Sequence, residues 1–474
     1  MSKVNIFRLA IPCLAVLFFT GCQAPDFSKV KPSFDNIKKV PTSLLNAGTR
    51  PFSAKKNKTA GVSDDSSLPL NDILEGSLAS KNQGSDFVTA LRYALDTDPE
   101  VISRRLDIKA KLAAVGSSKA KKSFRVGTTL YGGIEDVTDN TKGLALSLTA
   151  SRLVYDGGGV DSRTIALQYD LEAAKMDLLA KVDQRAAGLS QLWLDLEKYR
   201  SLEEQINRRL SVLDPLIDQL EKVAKAGIGD VSKVTAAQRT VSAIRVEETR
   251  IEEGLAQAEL EFTNAFGSLE NGIAFDYDFI SNLVPKEIDN SLVKRSPVIK
   301  SQYASYQSSL AAVKSLKAKD GFEVGFEAKA MRPFAGSEYD SDESIGFVSR
   351  KTLFNGGMLE SDIKEAEALA AAKLSQIKVS YRIGARSIQG ALQNIESMER
   401  AILVAKENAK LTADEIAYLR QQLIIGGSTL DSVLSAEARL YDAESKEITF
   451  LTEKYKSQVV ILGSLGLLSD AMDF

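Results

Sequence analysis

The sequence predicts a mainly helical α+β chain made of two copies of one plan: helix, β-hairpin, very long helix, returning helix. Three observations lead there. Landmark residues recur at one spacing along the chain, apolar residues follow a helical seam over long proline-free stretches, and four short segments alternate apolar and polar side chains.

The repeat is read from its landmarks. Asp98-Pro99-Glu100-Val101-Ile102 opens one helical stretch and Ser296-Pro297-Val298-Ile299 another. Tyr155-Asp156-Gly157-Gly158 matches Phe354-Asn355-Gly356-Gly357, and Gly227, Val234, Ala237 and Arg239 stand opposite Gly426, Val433, Ala436 and Arg439. Pro99 and Pro297 are 198 residues apart; Gly157 and Gly356, and Gly227 and Gly426, are each 199 apart. Residues 85–268 form the first repeat, 269–289 an equatorial linker, 290–468 the second repeat and 469–474 a C-terminal tail.

At the N-terminus, Lys3 and Arg8 precede an apolar run from Leu9 to Phe19. It has the length of a signal-peptide core, whereas a transmembrane helix needs roughly 20 apolar residues. Phe19-Thr20-Gly21-Cys22 resembles a bacterial lipobox, so residues 1–21 are expected to be a signal peptide and Cys22 a lipidation site. Phe19 stands where Leu is usual, and an ordinary signal peptide with an incidental cysteine is the other reading. Gln23 is compatible with sorting to the outer membrane. Residues 22–84, with Pro25, Pro32, Pro41, Pro51 and Pro69 among many lysines, read as a solvated, lipid-anchored tether.

The strands come next. Segments 124–132 and 143–154 make the first hairpin, 322–331 and 344–354 the second, with polar, acidic connections between their arms. In Phe322-Glu323-Val324-Gly325-Phe326-Glu327-Ala328-Lys329 the apolar side chains take one face. Such alternation suits a membrane barrel and a half-buried soluble hairpin equally. The helices decide between them. From Ile363 to Ala405, apolar and small residues advance by a mean of 3.5 positions, the coiled-coil period. A helix spanning Met358 to Ile425 runs roughly 100 Å at 1.5 Å per residue. The first copy covers 159–226, where Pro215 is expected to kink or break it. A helix this long needs partner helices to cover its seam. Four strands cannot close a barrel, since the smallest common membrane barrels have about eight. The chain must pool strands with copies of itself.

Composition narrows the function. The chain has no histidine, and its two cysteines are Cys13, inside the signal, and Cys22. The commonest general base, metal ligands and a free thiol are therefore missing, which disfavours an enzyme; no catalytic, metal or cofactor site is expected. Losing Lys3 and Arg8 with the signal moves the net charge from −3 to −5, against a nucleic-acid partner. Gly157-Gly158-Gly159 opens a helix without a following Lys-Ser/Thr, so it is no phosphate loop. Trp193 is expected to pack in the helical wall.

The two-fold repeat, the Asp-Gly-Gly or Asn-Gly-Gly at each strand-to-helix junction, and Gly-x₆-Val-x-x-Ala at each helical turn resemble the TolC outer-membrane efflux family, from about Ser85 to Leu468. That resemblance implies a homotrimer with a 12-stranded outer-membrane β-barrel joined to a periplasmic α-helical barrel. It also implies a periplasmic adaptor and an inner-membrane transporter as partners, with contact to outer-membrane lipid. By the same resemblance the tips are the turns 227–234 and 426–433. Gly227, Gly229, Asp230 and Val234 lie in one, and Gly426, Gly427, Asp431 and Val433 in the other, as adaptor-docking candidates. Asp230 and Ser428 or Thr429 are candidate N-caps. Asp156, Gly157, Gly158, Asn355, Gly356 and Gly357 mark the barrel-to-helix junctions. The family's acidic tip positions are here Ser432 and Ser435, and Lys233 and Ala236, so an acidic constriction does not carry over; Asp431 is the one candidate. The glycine-rich junctions resemble the type I protein-secretion branch, while the lipobox points to the lipoprotein drug-efflux branch. A periplasmic coiled-coil adaptor or scaffold lipoprotein is the alternative, but it leaves the matched strand hairpins unexplained. A hydrolase on a helical frame is a third, with no catalytic constellation behind it.

Overall fold

The computed structural model describes residues 82, 84–136, 141–226, 231–268, 273–334, 337, 340–425 and 427–474. The chain divides into residues 1–69 and 70–474, and every described element belongs to the second unit. The expected signal peptide, Cys22 and the expected tether up to residue 81 lie outside the described residues.

Helix α1 (Phe87–Thr97) starts from a capping box: Thr89 N donates to Asp86, and Asp86 N donates to Thr89 Oγ1. Helix α2 (Pro99–Ala120) follows, with Pro99 in its first turn and Asp98 accepting from Glu100 N and Val101 N. Strands β1 (Arg125–Asp136) and β2 (Thr141–Tyr155) lead into helix α3 (Gly159–Lys225), which returns as α4 (Val231–Phe266). Two short helices, α5 (Tyr277–Leu283) and α6 (Asn290–Arg295), connect to the second copy. There α7 (Pro297–Ala318), β3 (Glu323–Pro333), β4 (Asp342–Arg350), α8 (Met358–Ile424) and α9 (Leu430–Leu465) repeat the order, and α10 (Leu467–Ala471) ends it. Corresponding helices have equal lengths: 22 residues in α2 and α7, 67 in α3 and α8, 36 in α4 and α9.

Helix α3 is not broken at Pro215. Proline in a helix interior costs about 3 kcal/mol. Leu210 and Leu213, with Leu216 and Ile217 beside them, pack against Val241 and Ile244 of α4 and hold the helix through the defect.

The main core gathers where α1, α3, α4, α5, α9 and α10 meet. Trp193 lies at its centre, with Phe87, Phe262 and Phe266 each 5.1 Å from it in edge-on contact. Asp183 of α3 is buried nearby and accepts from Ser469 N and Oγ at 2.8 Å each, tying the C-terminal helix to the first long helix. Burial raises its carboxyl from 3.8 to about 7, against the pull of those hydrogen bonds.

All four strands form one antiparallel sheet in the order β1-β2-β3-β4, and the β2–β3 pairing joins the two repeats. Its register separates two faces. Val126, Leu130, Leu146, Leu148, Phe326, Ile345 and Phe347 share one face, along the pairs Val126–Ala150, Leu130–Leu146, Arg152–Phe326 and Phe326–Phe347. Arg125, Thr149, Ser151, Glu323, Glu327, Lys329 and Arg350 share the other. The apolar face is open: Ile345 is 77% and Phe347 72% exposed. Toward the helices this face ends in aromatic and basic groups, with Arg152 over the Phe124 ring at 5.1 Å. At the far end it closes on an Arg332–Glu343 ion pair. Among the described residues, no helix is long and apolar enough to cross a membrane.

Candidate functional site

Two places combine special backbone chemistry with exposure: the strand-to-helix junctions and the helical turns about 100 Å away along α3 and α8.

At the first junction the chain leaves β2 through Asp156, Gly157 and Gly158. Gly157 (φ 66°) and Gly158 (φ 81°) take the left-handed conformation that costs other residues roughly 1–2 kcal/mol. The Asp156 carboxylate then accepts from Gly158 N at 3.1 Å and Val160 N at 2.5 Å, satisfying the start of α3. The second junction repeats the backbone at Gly356 (φ 69°) and Gly357 (φ 82°). Asn355 supplies no side-chain cap to α8, whose start is closed by Met358 N on Asn355 O and Ser361 N on Gly357 O. The surroundings differ more. A Cβ on Gly157 would lie 3.2 Å from Ala318 O of α7, whereas nothing lies within 4 Å of one on Gly356 or Gly357. Phe354 beside the second junction is 86% exposed.

Of the candidate tip residues, Gly227, Gly229, Asp230 and Gly426 lie outside the described residues. Val234 is half-buried in the first turns of α4. In the second turn Thr429 is the N-cap of α9, its Oγ1 accepting from Ser432 N, while Ser428 Oγ donates to Leu419 O at 2.7 Å and Gly427 N to Gln422 O at 2.8 Å. Val433 is fully buried, and Asp431 is half-buried in the first turn of α9. Ile424 and Ile425 project from the turn, both largely exposed.

Above this turn stands a buried ionic group that the sequence reading missed. Glu437 of α9, 2% exposed, pairs with Arg209 of α3 and with Arg420 of α8, the latter at 2.7 Å. Arg209 also meets Glu444 at 2.8 Å, which takes a further hydrogen bond from Gln205. The hairpins of the two repeats are thus tied together by charge. A signal was present: Glu221 and Gln238, 199 residues before Arg420 and Glu437, form the same cross-hairpin link at 3.1 Å with donor and acceptor exchanged. Among the described residues no cluster of three or more His, Cys, Asp or Glu could hold a metal ion.

No family model matches the chain. In sequence it is 22% identical to the outer membrane protein TolC of Vibrio cholerae, over 84% of this chain and 95% of that protein. TolC of Escherichia coli K12 is 18% identical over 69% of this chain and 74% of its own. Among solved structures, the outer membrane protein VceC from Vibrio cholerae superposes with a TM-score of 0.70 at 16% identity, covering 80% of this chain and 95% of that one. The fold is TolC-like. The Campylobacter jejuni outer membrane channel CmeC agrees, with a TM-score of 0.69 at 12% identity over 80% of this chain and 84% of that one. At 80–84% of the chain, the TolC-like likeness is too long to fall within a single repeat.

Proposed function

We propose that the chain is an outer-membrane channel subunit of a tripartite export system: a passive duct, with energy supplied by an inner-membrane transporter through a periplasmic adaptor. Three copies pool four strands each into a 12-stranded barrel, and their long helices form the tunnel beneath it. The observation that carries this is the sheet. It has an apolar face open to its surroundings, an ionic face behind it, and edges on β1 and β4 that pair with no other strand among the described residues. Open edges and a solvated apolar face are liabilities in water. Closing the sheet with copies of itself removes the edges, and lipid covers the apolar face.

Helix α2 supports the same assembly. Helix α7 packs between α3 and α8, whereas α2 packs along α3 with its opposite face exposed. A heterologous contact from α2 of one copy to α8 of the next repeats the α7–α3 contact and closes a ring. The turns, with Ile424 and Ile425 exposed beside Gly427, are the proposed docking points of the adaptor, and Cys22 the lipid anchor. The relatives are named as outer-membrane proteins and channels, which supports a passive role. The glycine-rich junctions favour type I protein secretion over small-molecule efflux; the secreted product or tolerance lost on deletion decides between them. The central test is single-channel conductance of the detergent-purified protein in planar bilayers, with its mass in solution. A conducting trimer is expected; a non-conducting monomer sinks the duct.

A further inference from the structure

A cavity of about 940 Å³ opens where the sheet meets the helices. The strand residues that line it include Arg125, Leu153, Glu323 and Arg350, all on the ionic face of the sheet by register. The cavity therefore opens on the side opposite the apolar face. Its charged lining is lopsided: Lys121, Arg125, Arg163, Lys319, Arg350 and Lys351 against Asp156 and Glu323. The Asp156 carboxylate is already taken up by the backbone of α3. Arg350 is paired with Glu327 at 2.8 Å, and Lys351 lies over the Phe322 ring. Lys121, Arg125, Arg163 and Lys319 have no ion-pair partner among the described residues. Four elements of both repeats deliver these cations to one concavity: the end of α2, β1, α3 and the end of α7.

We propose that this cavity is an anion-binding collar on the lumenal face of the duct, so that the channel prefers anionic solutes at the level where barrel meets tunnel. The proposal rests on the duct reading above: if the apolar face meets lipid, the cavity faces the lumen, and three copies set a ring of positive charge around the path. Clefts lined by one sign of charge between low-dielectric walls focus the field and raise the local concentration of the opposite ion. The turns lie about 100 Å away, well beyond the screening length of about 10 Å at 0.1 M salt, so their charges leave the local potential of this ring unaltered.

The test is the reversal potential of the full-length protein in planar bilayers under a tenfold KCl gradient. Wild type is expected to favour chloride over potassium several-fold. The triple variant Arg125→Gln, Arg163→Gln, Lys319→Gln is expected to lose that preference, and the charge-keeping variant Arg125→Lys, Arg163→Lys, Lys319→Arg to retain it. Chloride preference should also fade toward 1 M salt, where the screening length is about 3 Å. Conductance with a cation preference, or a chloride preference unmoved in the triple variant, overturns the collar and leaves the duct standing. If the wild type forms no conducting pore, the duct and the collar fall together. A triple variant that does not assemble is replaced by Arg163→Gln alone, from which a smaller shift in the same direction is required.

Discussion

Helices α2 and α7 are the same element used twice, yet one is buried on two sides and the other on one. On α7, Ser301, Ala304, Ser308 and Ala311 are buried and Ser315 and Ala318 half-buried; this stripe faces α3 of the other repeat. Ser301 Oγ donates to Asp177, and Ser315 Oγ to Gly159 O at 2.8 Å. At the same places 198 residues earlier, α2 carries Ser103, Leu106, Ala110, Ala113, Ser117 and Ala120, and every one is exposed. Four of the six are the identical residue, including the serines that bond the long helix and the alanine that covers the junction glycine. The chain therefore carries a second copy of a contact surface whose counterpart, the outer side of α8, lies at the far end of the same molecule. One internal repeat interface teaches what the interface between copies should look like.

The largest expected effect comes from blocking that surface. Ala113→Trp should leave helix content unchanged, because Ala113 is exposed within one chain, yet reduce the assembled mass to that of a monomer. Ala311→Trp, at the matching place in α7, should instead destabilise the chain itself, since overpacking a filled site costs about 1–3 kcal/mol. Light scattering and circular dichroism separate the two outcomes. An Ala113→Trp protein that keeps its wild-type mass breaks the equivalence.

A crosslink sharpens the same comparison. Ser301 and Asp177 correspond to Ser103 and Gln376 at the spacing of the repeat. The double variant Ser103→Cys, Gln376→Cys should form covalent dimers and trimers under mild oxidation, while either single variant stays monomeric on a denaturing gel. Bands absent from the double variant as well would put α2 and α8 too far apart for this register.

The two long helices differ at a titratable position too. Asp183 of α3 is buried under α10, whereas Arg382, 199 residues on in α8, is exposed. Burial holds the Asp183 carboxyl near 7 when folded, against 3.8 for the ordinary group. Between those values the folded chain keeps a proton that the unfolded chain has lost. Stability therefore falls as pH rises from about 4 to 7 and levels off above. The Asp183→Asn variant should lose most of that slope in Tm between pH 5 and 8, an effect on the order of 2 kcal/mol, set by the two pH units from 5 to about 7. Arg382→Gln should leave the slope as it is. A wild-type Tm that rises over the same range would reverse the sign.

The mainly helical class and its small sheet were legible because they rest on long-range regularities: a landmark spacing kept along the chain, and a seam period sustained over many turns. Local chemistry was legible where one residue type has one use. Asp156 and the glycines after it mark a chain that turns through positive φ into a capped helix, and Thr429 was among the expected caps. What escaped depends on side chains meeting across hundreds of residues. Glu437 looks like a solvated helical acid until Arg209, 228 positions away, is brought onto it. Pro215 does not stop its helix, because apolar residues on either side of it pack onto the returning helix and hold the chain through the defect. The cationic cavity is invisible in the sequence for the same reason: its lysines and arginines come from separate elements of both repeats and lie among acids along the chain.

The smallest expected effect tests the comparison most finely. Gly157 and Gly356 have nearly the same positive φ, so alanine at either should cost roughly 1–2 kcal/mol through backbone strain. Only Gly157 faces a neighbour within its own chain, Ala318 O at 3.2 Å from a new Cβ. In a monomer, Gly157→Ala should therefore lower stability slightly more than Gly356→Ala. In the proposed ring, Ala120 of the next copy would take the place at Gly356 that Ala318 takes at Gly157, and the two costs should converge. Measuring both variants in the Ala113→Trp background and in the assembled protein gives the monomer and ring values directly. A difference that persists unchanged on assembly would mean that the second junction stays open, and that the copies meet through some surface other than α2.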